Sequence, residues 1–325
     1  MRRKRFGLLD LLLAAAALLT YVFGDLYLAL ATSVLVMILF ALSLDLVQGY
    51  CGVETLGHAA FFGTGAYAAA LFAIHVSANP LYGLLAGATA AAAVGLVTGA
   101  VVLRAHGLTQ VMLTLACSTL LFELANVAKS VTMGDDGLSG YAIAPVLGRF
   151  EFDIYGHTAY LYVLAVLLAV YVFAQYLVNS PLGLTAKGIR ENAVRMELLG
   201  VHVGRRRLTL YIISAALAGI AGALSAQVNN IVGLDTLGFT LSANVLVMLA
   251  LGGIGRLYGA FLGAIVFVLL SDRAAAIDPA NWLALLGVLL IVVVRFAPDG
   301  LAGTIERLAA RPAHGAAPTK NEVTS

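Results

Sequence analysis

The chain has 325 residues, 61% of them hydrophobic and 11% charged, and its mean hydropathy is +0.97. A soluble globular domain carries about 25% charged residues, so this composition excludes one and identifies an integral membrane protein. The formal net charge of +2 does not point to nucleic acid, because the basic residues stand in loops between apolar runs and form no single patch with interleaved aromatics.

Arg2, Arg3, Lys4 and Arg5 precede an apolar run, 8–23. The same pattern describes a signal peptide, but this run leads through Gly24 and Asp25 into a second, 26–47, with no clear cleavage site, and both read as spanning helices. Apolar stretches follow at 58–76, 81–103 and 107–128, then a polar loop carrying Asp135, Asp136, Glu151 and Asp153, then a span at 158–178. Beyond a central polar segment, 179–207, lies a span at 208–228. The runs 241–254 and 257–271 each fall short of the ~20 residues a span needs, so they read either as short tilted helices or as a hairpin that does not cross fully. A last run, 282–296, precedes a tail, 304–325, whose Pro and small polar residues suggest disorder. The expected fold is an all-α polytopic bundle of about 8–10 transmembrane helices, one transmembrane domain over 1–303. With the N-terminus inside, sixteen of the nineteen Lys and Arg fall on the cytoplasmic side, leaving Lys129, Arg149 and Arg273 outside. That asymmetry puts both termini and the central segment in the cytoplasm.

The central segment holds Lys187, Arg190, Arg195, Arg205, Arg206 and Arg207. Ser180 and Pro181 read as N-cap and first helical residue, and Gly200 as the stop. Leu182, Ala186, Ile189, Ala193 and Met196 recur as one apolar stripe, with Lys187, Glu191 and Arg195 opposite at i, i+4 spacing. An amphipathic helix outside the lipid fits this pattern. So do two shorter pieces, since Gly183 and Gly188 each weaken a helix by roughly 1 kcal/mol, a helix lying on lipid headgroups, and a solvated loop that sets topology by charge alone.

Small residues recur every four positions: Gly255, Gly259 and Gly263; Ala215, Gly219 and Ala223; Ala218, Gly222 and Ala226. Such rows let helix backbones approach closely in lipid, either within one bundle or along a dimer seam. Glu123, with Asn126 three residues on, is an ionisable group inside a span and so a functional candidate. The plainer account is a carboxyl near the outer interface that ties helices together. Asp45, Glu54 and His58 bracket the turn between the second and third spans, close enough to the inner interface for solvation to account for them. His58 joins Glu123 and Asn126 as a candidate for lining a translocation path. His75, His106, His157 and His202 stand at loop edges. Cys51 and Cys117 stand alone in apolar sequence and read as small buried thiols, without disulfide or metal spacing.

No catalytic constellation appears. The phosphate-loop pattern G-x-x-x-x-G-K-[ST] is missing, as are H-E-x-x-H and G-x-S-x-G, so the chain is expected to be a transport subunit with no cofactor and no ATPase of its own.

LGHAAFFGTGAYAAALF (56–72), PLG…KGIREN…ELLGV (181–201), SAALAGIAGAL (214–224), S-x5-M-x3-GGIGRLYGAFLGA (242–264) and FAPDGL (296–301) resemble the LivM-type permease subunits of branched-chain amino acid ABC importers, in family order. The chain departs from that pattern at Val53, Glu54 and Thr55, where Gln-hydrophobic-Ser is usual, at Ala193, where a second Glu often stands, and at Leu184, where an Arg is common. The resemblance implies a bacterial inner-membrane protein and a heterodimer with a second, homologous permease. It also implies two ATP-binding cassette subunits and a periplasmic or surface-tethered binding protein that delivers the amino acid. The central segment then resembles a coupling helix seated in the ATPase, with Pro181, Gly183, Ile189, Arg190, Glu191, Asn192, Met196 and Gly200 as its coupling residues. Permeases for urea or short amides use closely similar chains. A transporter working without ATP is the alternative from another class, favoured by inverted repeats or a midplane cluster of ionisable groups.

Overall fold

In a computed structural model, residues 27–146, 148, 150, 156–277, 287, 291 and 300–309 are described. The basic N-terminal cluster, the run 8–23, the run 282–296 apart from 287 and 291, Arg149, Glu151 and Asp153 lie outside them. Among the described residues six helices have the length and composition to cross a membrane, and two apolar helices are shorter.

The most enclosed of these is α1 (Leu28–Leu44), which winds on as a π-helical turn, Asp45–Tyr50, to make one apolar segment of 23 residues. Its side chains are apolar all round, as a helix surrounded by other helices requires, and Leu35, Ile38, Leu39, Phe40, Leu42 and Leu44 are buried. α2 (Ala59–His75) and α3 (Pro80–Val102) follow, the latter started by Asn79, whose Oδ1 accepts from the Leu81 amide at 3.1 Å ahead of Pro80 in the first turn. α4 (Leu108–Val127) is mostly uncovered, with only Gln110, Thr114 and Ser118 buried.

The outer loop is stitched down. It contains α5 (Lys129–Thr132), a 3₁₀ turn and β1 (Leu138–Ser139), which pairs antiparallel with β2 (Ile231–Val232), Leu138 opposite Val232. The Tyr141 hydroxyl donates to the Ala226 carbonyl at 2.6 Å, and the Ala144 amide to Ala78 at 2.8 Å. α6 (His157–Asn179) leads back to the central segment, α7 (Pro181–Glu191) and α8 (Ala193–Leu198). Gln227 ties three helices near the outer end, accepting from the Tyr162 hydroxyl at 2.9 Å and donating to the Pro80 carbonyl at 2.8 Å.

α9 (Val203–Asn229) packs across α2 and α3 through its small residues. Gly219 lies against Gly87 and Ala91 of α3 and Gly65 of α2, and Gly222 against the Phe62 carbonyl, so closely that a Cβ at either position has no room. The row that contains Gly259 and Gly263 does the same between α10 (Phe239–Gly252) and α11 (Leu257–Ile277): Gly259 faces the Gly252 and Gly253 carbonyls, and Gly263 faces the carbonyl of Met248. The small-residue rows thus meet this chain's own helices. α11 runs past Ser271 through Asp272 and Arg273 and is long enough to span, because helical hydrogen bonding continues where hydropathy stops. α10, with 14 residues, covers only about 21 Å of the ~30 Å hydrocarbon layer. α12 (Gly300–Ala309) carries helix past Glu306 into the tail, which composition alone leads one to read as unstructured.

The turn between α1 and α2 starts beside α7, where Gly52 lies against Arg190, and runs back into the bundle. The Leu56 amide donates to Thr114 Oγ1 at 3.1 Å, and Ser214 Oγ donates to the Ser43 carbonyl beside it at 2.6 Å. Thr114 and Ser214 stand roughly 9 and 16 Å along their helices from the ends near Arg104 and Arg205. Cys51, Val53, Thr55, Gly57 and His58 are buried there, while Glu54 alone of the charged residues in the turn is exposed. Non-helical backbone at such depth persists only where protein covers it. Solvation therefore does not account for Asp45 and His58, both fully enclosed.

Candidate functional site

At the basic end of the bundle the central segment forms two helices, broken at Asn192. Ser180 caps α7, its Oγ accepting from the Gly183 amide at 3.4 Å, with Pro181 next. Asn192 adopts an extended conformation (φ −158°, ψ 100°) and caps α8 through Oδ1, which accepts from the Arg195 amide at 2.9 Å. An Asn competes with helix continuation by offering its own side chain to the backbone, so the stripe is interrupted although its spacing fits one helix. Met196 folds over Gly188, where a Cβ would lie 2.7 Å from its sulfur, and Gly200 ends the pair at φ +80°.

α7 turns its apolar side inward. Gly183, Ala186 and Ile189 are buried, Ile189 to 1% exposure. Of the stripe Leu182, Ala186, Ile189, Ala193 and Met196, Ala186 and Ile189 are covered by this chain's own helices, and Leu182, Ala193 and Met196 are half-buried. What faces outward is different: Leu184, Val194, Leu198 and Leu199 are all exposed, Leu198 at 85%, among Glu191, Arg195 and Glu197. Sequence periodicity missed this patch because it is composed by the break at Asn192.

The pair is pinned to α1. Arg190 donates through Nη1 to the Gly49 carbonyl, and the Lys187 ammonium lies 5.0 Å from the centre of the Tyr50 ring. Asp45 Oδ1 in turn accepts from the Gly255 amide at 2.6 Å, so α7, the π turn and the α10–α11 connection converge.

In the membrane region, Glu123 is exposed and borders a shallow concavity of about 510 Å³ with Met112, Leu115, Ala116, Thr119 and Leu120; Asn126 is half-buried one turn on. An apolar face carrying one carboxylate offers a hydrogen-bond acceptor to a cationic group. His58 is elsewhere. Its ring stacks on Phe40 at 5.4 Å and lies edge-on to Phe61, and Nε2 is 2.9 Å from Ser43 Oγ. The Ser43 hydroxyl donates to the Phe40 carbonyl at 2.6 Å, which assigns Nε2–H as donor to Ser43. His58 shares no partner with Glu123, and its neighbours make it a tie between α1 and α2. The Ala59 amide extends the tie to α10 by donating to Ser242 Oγ at 2.9 Å.

Among the described residues no group of three or more His, Cys, Asp or Glu is placed to hold a metal.

Residues 26–294 match the family described as "Branched-chain amino acid transport system / permease component". The chain is similar to the "High-affinity branched-chain amino acid transport system permease protein LivM" of Escherichia coli (strain K12), 30% identical over 302 residues, 84% of this chain and 69% of that one. It is similar to the "Probable branched-chain amino acid transport permease protein LivM" of Methanocaldococcus jannaschii, 25% identical over 310 residues, 80% of this chain and 88% of the relative. A shorter likeness, 27% over 141 residues, links 43% of it to 44% of the E. coli permease protein LivH. No solved structure matches.

Proposed function

The chain belongs to the branched-chain amino acid transport system permease-component family, and from that premise we propose that it forms half of the translocation path of an ATP-driven importer for branched-chain or other hydrophobic amino acids. The observation that carries this reading is the family match over 26–294, which takes in every apolar helix described. The second half is a homologous permease, a pairing supported by the weaker likeness to LivH proteins. Energy comes from two ATP-binding subunits on the cytoplasmic side and substrate from a binding protein on the other, so ATP is a ligand of the partners. The bacterial inner membrane is the setting.

The coupling surface is the outward patch of α7 and α8. Leu184, Val194, Leu198 and Leu199 are large apolar groups outside the lipid, rimmed by charges of both signs, and a protein groove removes them from water. Pro181, Gly183 and Gly200 shape the segment, Asn192 sets its break, and Arg190 and Met196 hold it to the bundle and to itself. Glu191, exposed beside the break, belongs to the rim. Glu123 and Asn126 face the path between the two permeases, where alternating access exposes a site to each side in turn.

The test is reconstitution of the whole complex in vesicles. Leu198→Asp is expected to release the ATP-binding subunits on co-purification and to abolish ATP-driven leucine uptake, because a charge without a partner is then buried in the groove. Retention of both at the unsubstituted level rejects the coupling surface. Uptake of urea in place of leucine would reassign the substrate to short amides.

A further inference from the structure

Resting on the importer reading, we propose that Asp45 and Arg190 form the polar joint that carries movement of the α7–α8 pair into the membrane bundle, with the Gly49 carbonyl and the Gly255 amide as its fixed points. Three elements that are far apart in sequence meet there with almost no side-chain filler. A Cβ added at Gly49 would lie 2.7 Å from the Gly255 amide nitrogen, and one added at Gly255 would lie 2.7 Å from Arg190 Nη1 and 3.1 Å from the Gly49 carbonyl oxygen. Gly255 is in the left-handed region (φ +84°), which favours glycine. Backbone, carboxylate and guanidinium are therefore in direct register, and a shift of α7 cannot be absorbed by a yielding apolar layer.

Asp45 is fully enclosed, yet only one of its oxygens has a partner among the described residues: Oδ1 takes the Gly255 amide, and Oδ2 takes none. A carboxylate used purely as an anchor is normally satisfied at both oxygens. A cation whose charge acts on it is Arg190, whose guanidinium offers five donors and commits Nη1 to Gly49. The joint therefore has two arrangements: Arg190 on the Gly49 carbonyl, and Arg190 drawn onto Asp45 Oδ2 as a charged pair. Gly49 and Asp45 share the π-helical turn, a wide turn whose backbone bonds are readily exchanged and which recurs at functional positions. Exchange between the two arrangements moves α7 against α1 and, through Gly255, against the α10–α11 connection. A discrete two-state contact of this kind can be biased from either end.

Asp45→Asn keeps the acceptor for Gly255 and the volume while removing the charge; Arg190→Gln removes the cation at the rim. In the reconstituted complex each is expected to lower leucine transported per ATP hydrolysed at least tenfold while the ATP-binding subunits still co-purify, and the double variant is expected to be no worse than either single one. Hydrogen exchange over 181–191, measured in the chain alone, is expected to quicken in both. Unchanged exchange in both variants, uptake per ATP at the unsubstituted level, or losses that multiply in the double variant would overturn the joint. Should Asp45→Asn fail to insert, Arg190→Gln carries the same measurements. An unsubstituted complex without ATP-driven uptake would refute the importer reading instead, and quickened exchange in both variants would still support the mechanical link.

Discussion

At the scale of single residues, burial separates side chains that look alike in sequence. Ile189 and Leu198 are both apolar and both on short helices outside the lipid, but one is 1% and the other 85% exposed. Ile189→Asp places a charge among this chain's own helices and is expected to destabilise the chain by roughly 3–5 kcal/mol. It should be read by thermal unfolding in detergent with no partner present, whereas Leu198→Asp should leave that transition where it is. Equal shifts for the two would mean that the inward and outward sides of α7–α8 are misassigned. Depth is hidden in the same way. Asp45 and His58 flank a turn whose sequence suits a surface, and only the bonds to Thr114, Ser214 and Ser242 place it inside.

At the scale of elements, glycine spacing was legible and its partners were not. The rows at Gly219, Gly222, Gly259 and Gly263 announce close helix contact, but a row has no label for which helix it meets. The structure supplies that: α9 on α2 and α3, α11 on α10. Gly222→Val is expected to part α9 from the Phe62 carbonyl and cost at least about 1–3 kcal/mol of overpacking. Gly204→Ala, in the same helix with open space around it, should be neutral or stabilise by up to about 1 kcal/mol. Thermal unfolding of the two variants checks the contrast, and an equal effect would disconnect the row from packing. The caps at Asn79 and Ser180 follow from local chemistry and were readable; the cap at Asn192 was obscured because the apolar spacing runs through it unbroken.

At the scale of the whole molecule, the charge asymmetry and the geometry agree on which loops share an end. Arg190, Gly49 and Gly255 converge at one end, and the 3₁₀ turn with Asp135 and Asp136, β1 and β2 gather at the other. Cysteines introduced at Asp136 and Arg195 are expected to label from opposite faces of the membrane. The native Cys51 should stay silent in that assay, since it is fully buried. Labelling of both introduced positions from one side would overturn the arrangement.

The brevity of α10 bears on biogenesis. A segment of 14 residues, Phe239–Gly252, gains too little from lipid to be retained by the insertion machinery as a unit, while Leu257–Ile277 behind it is long enough to be recognised. The two are expected to enter the bilayer together, as one hairpin whose shorter limb is carried by the longer and which Gly252 against Gly259 and Gly263 closes. A chain ended at Gly252 and released from the ribosome should leave 239–252 accessible to protease added to the membranes, and one ended at Ile277 and released should protect it; protection in both would mean that α10 enters on its own.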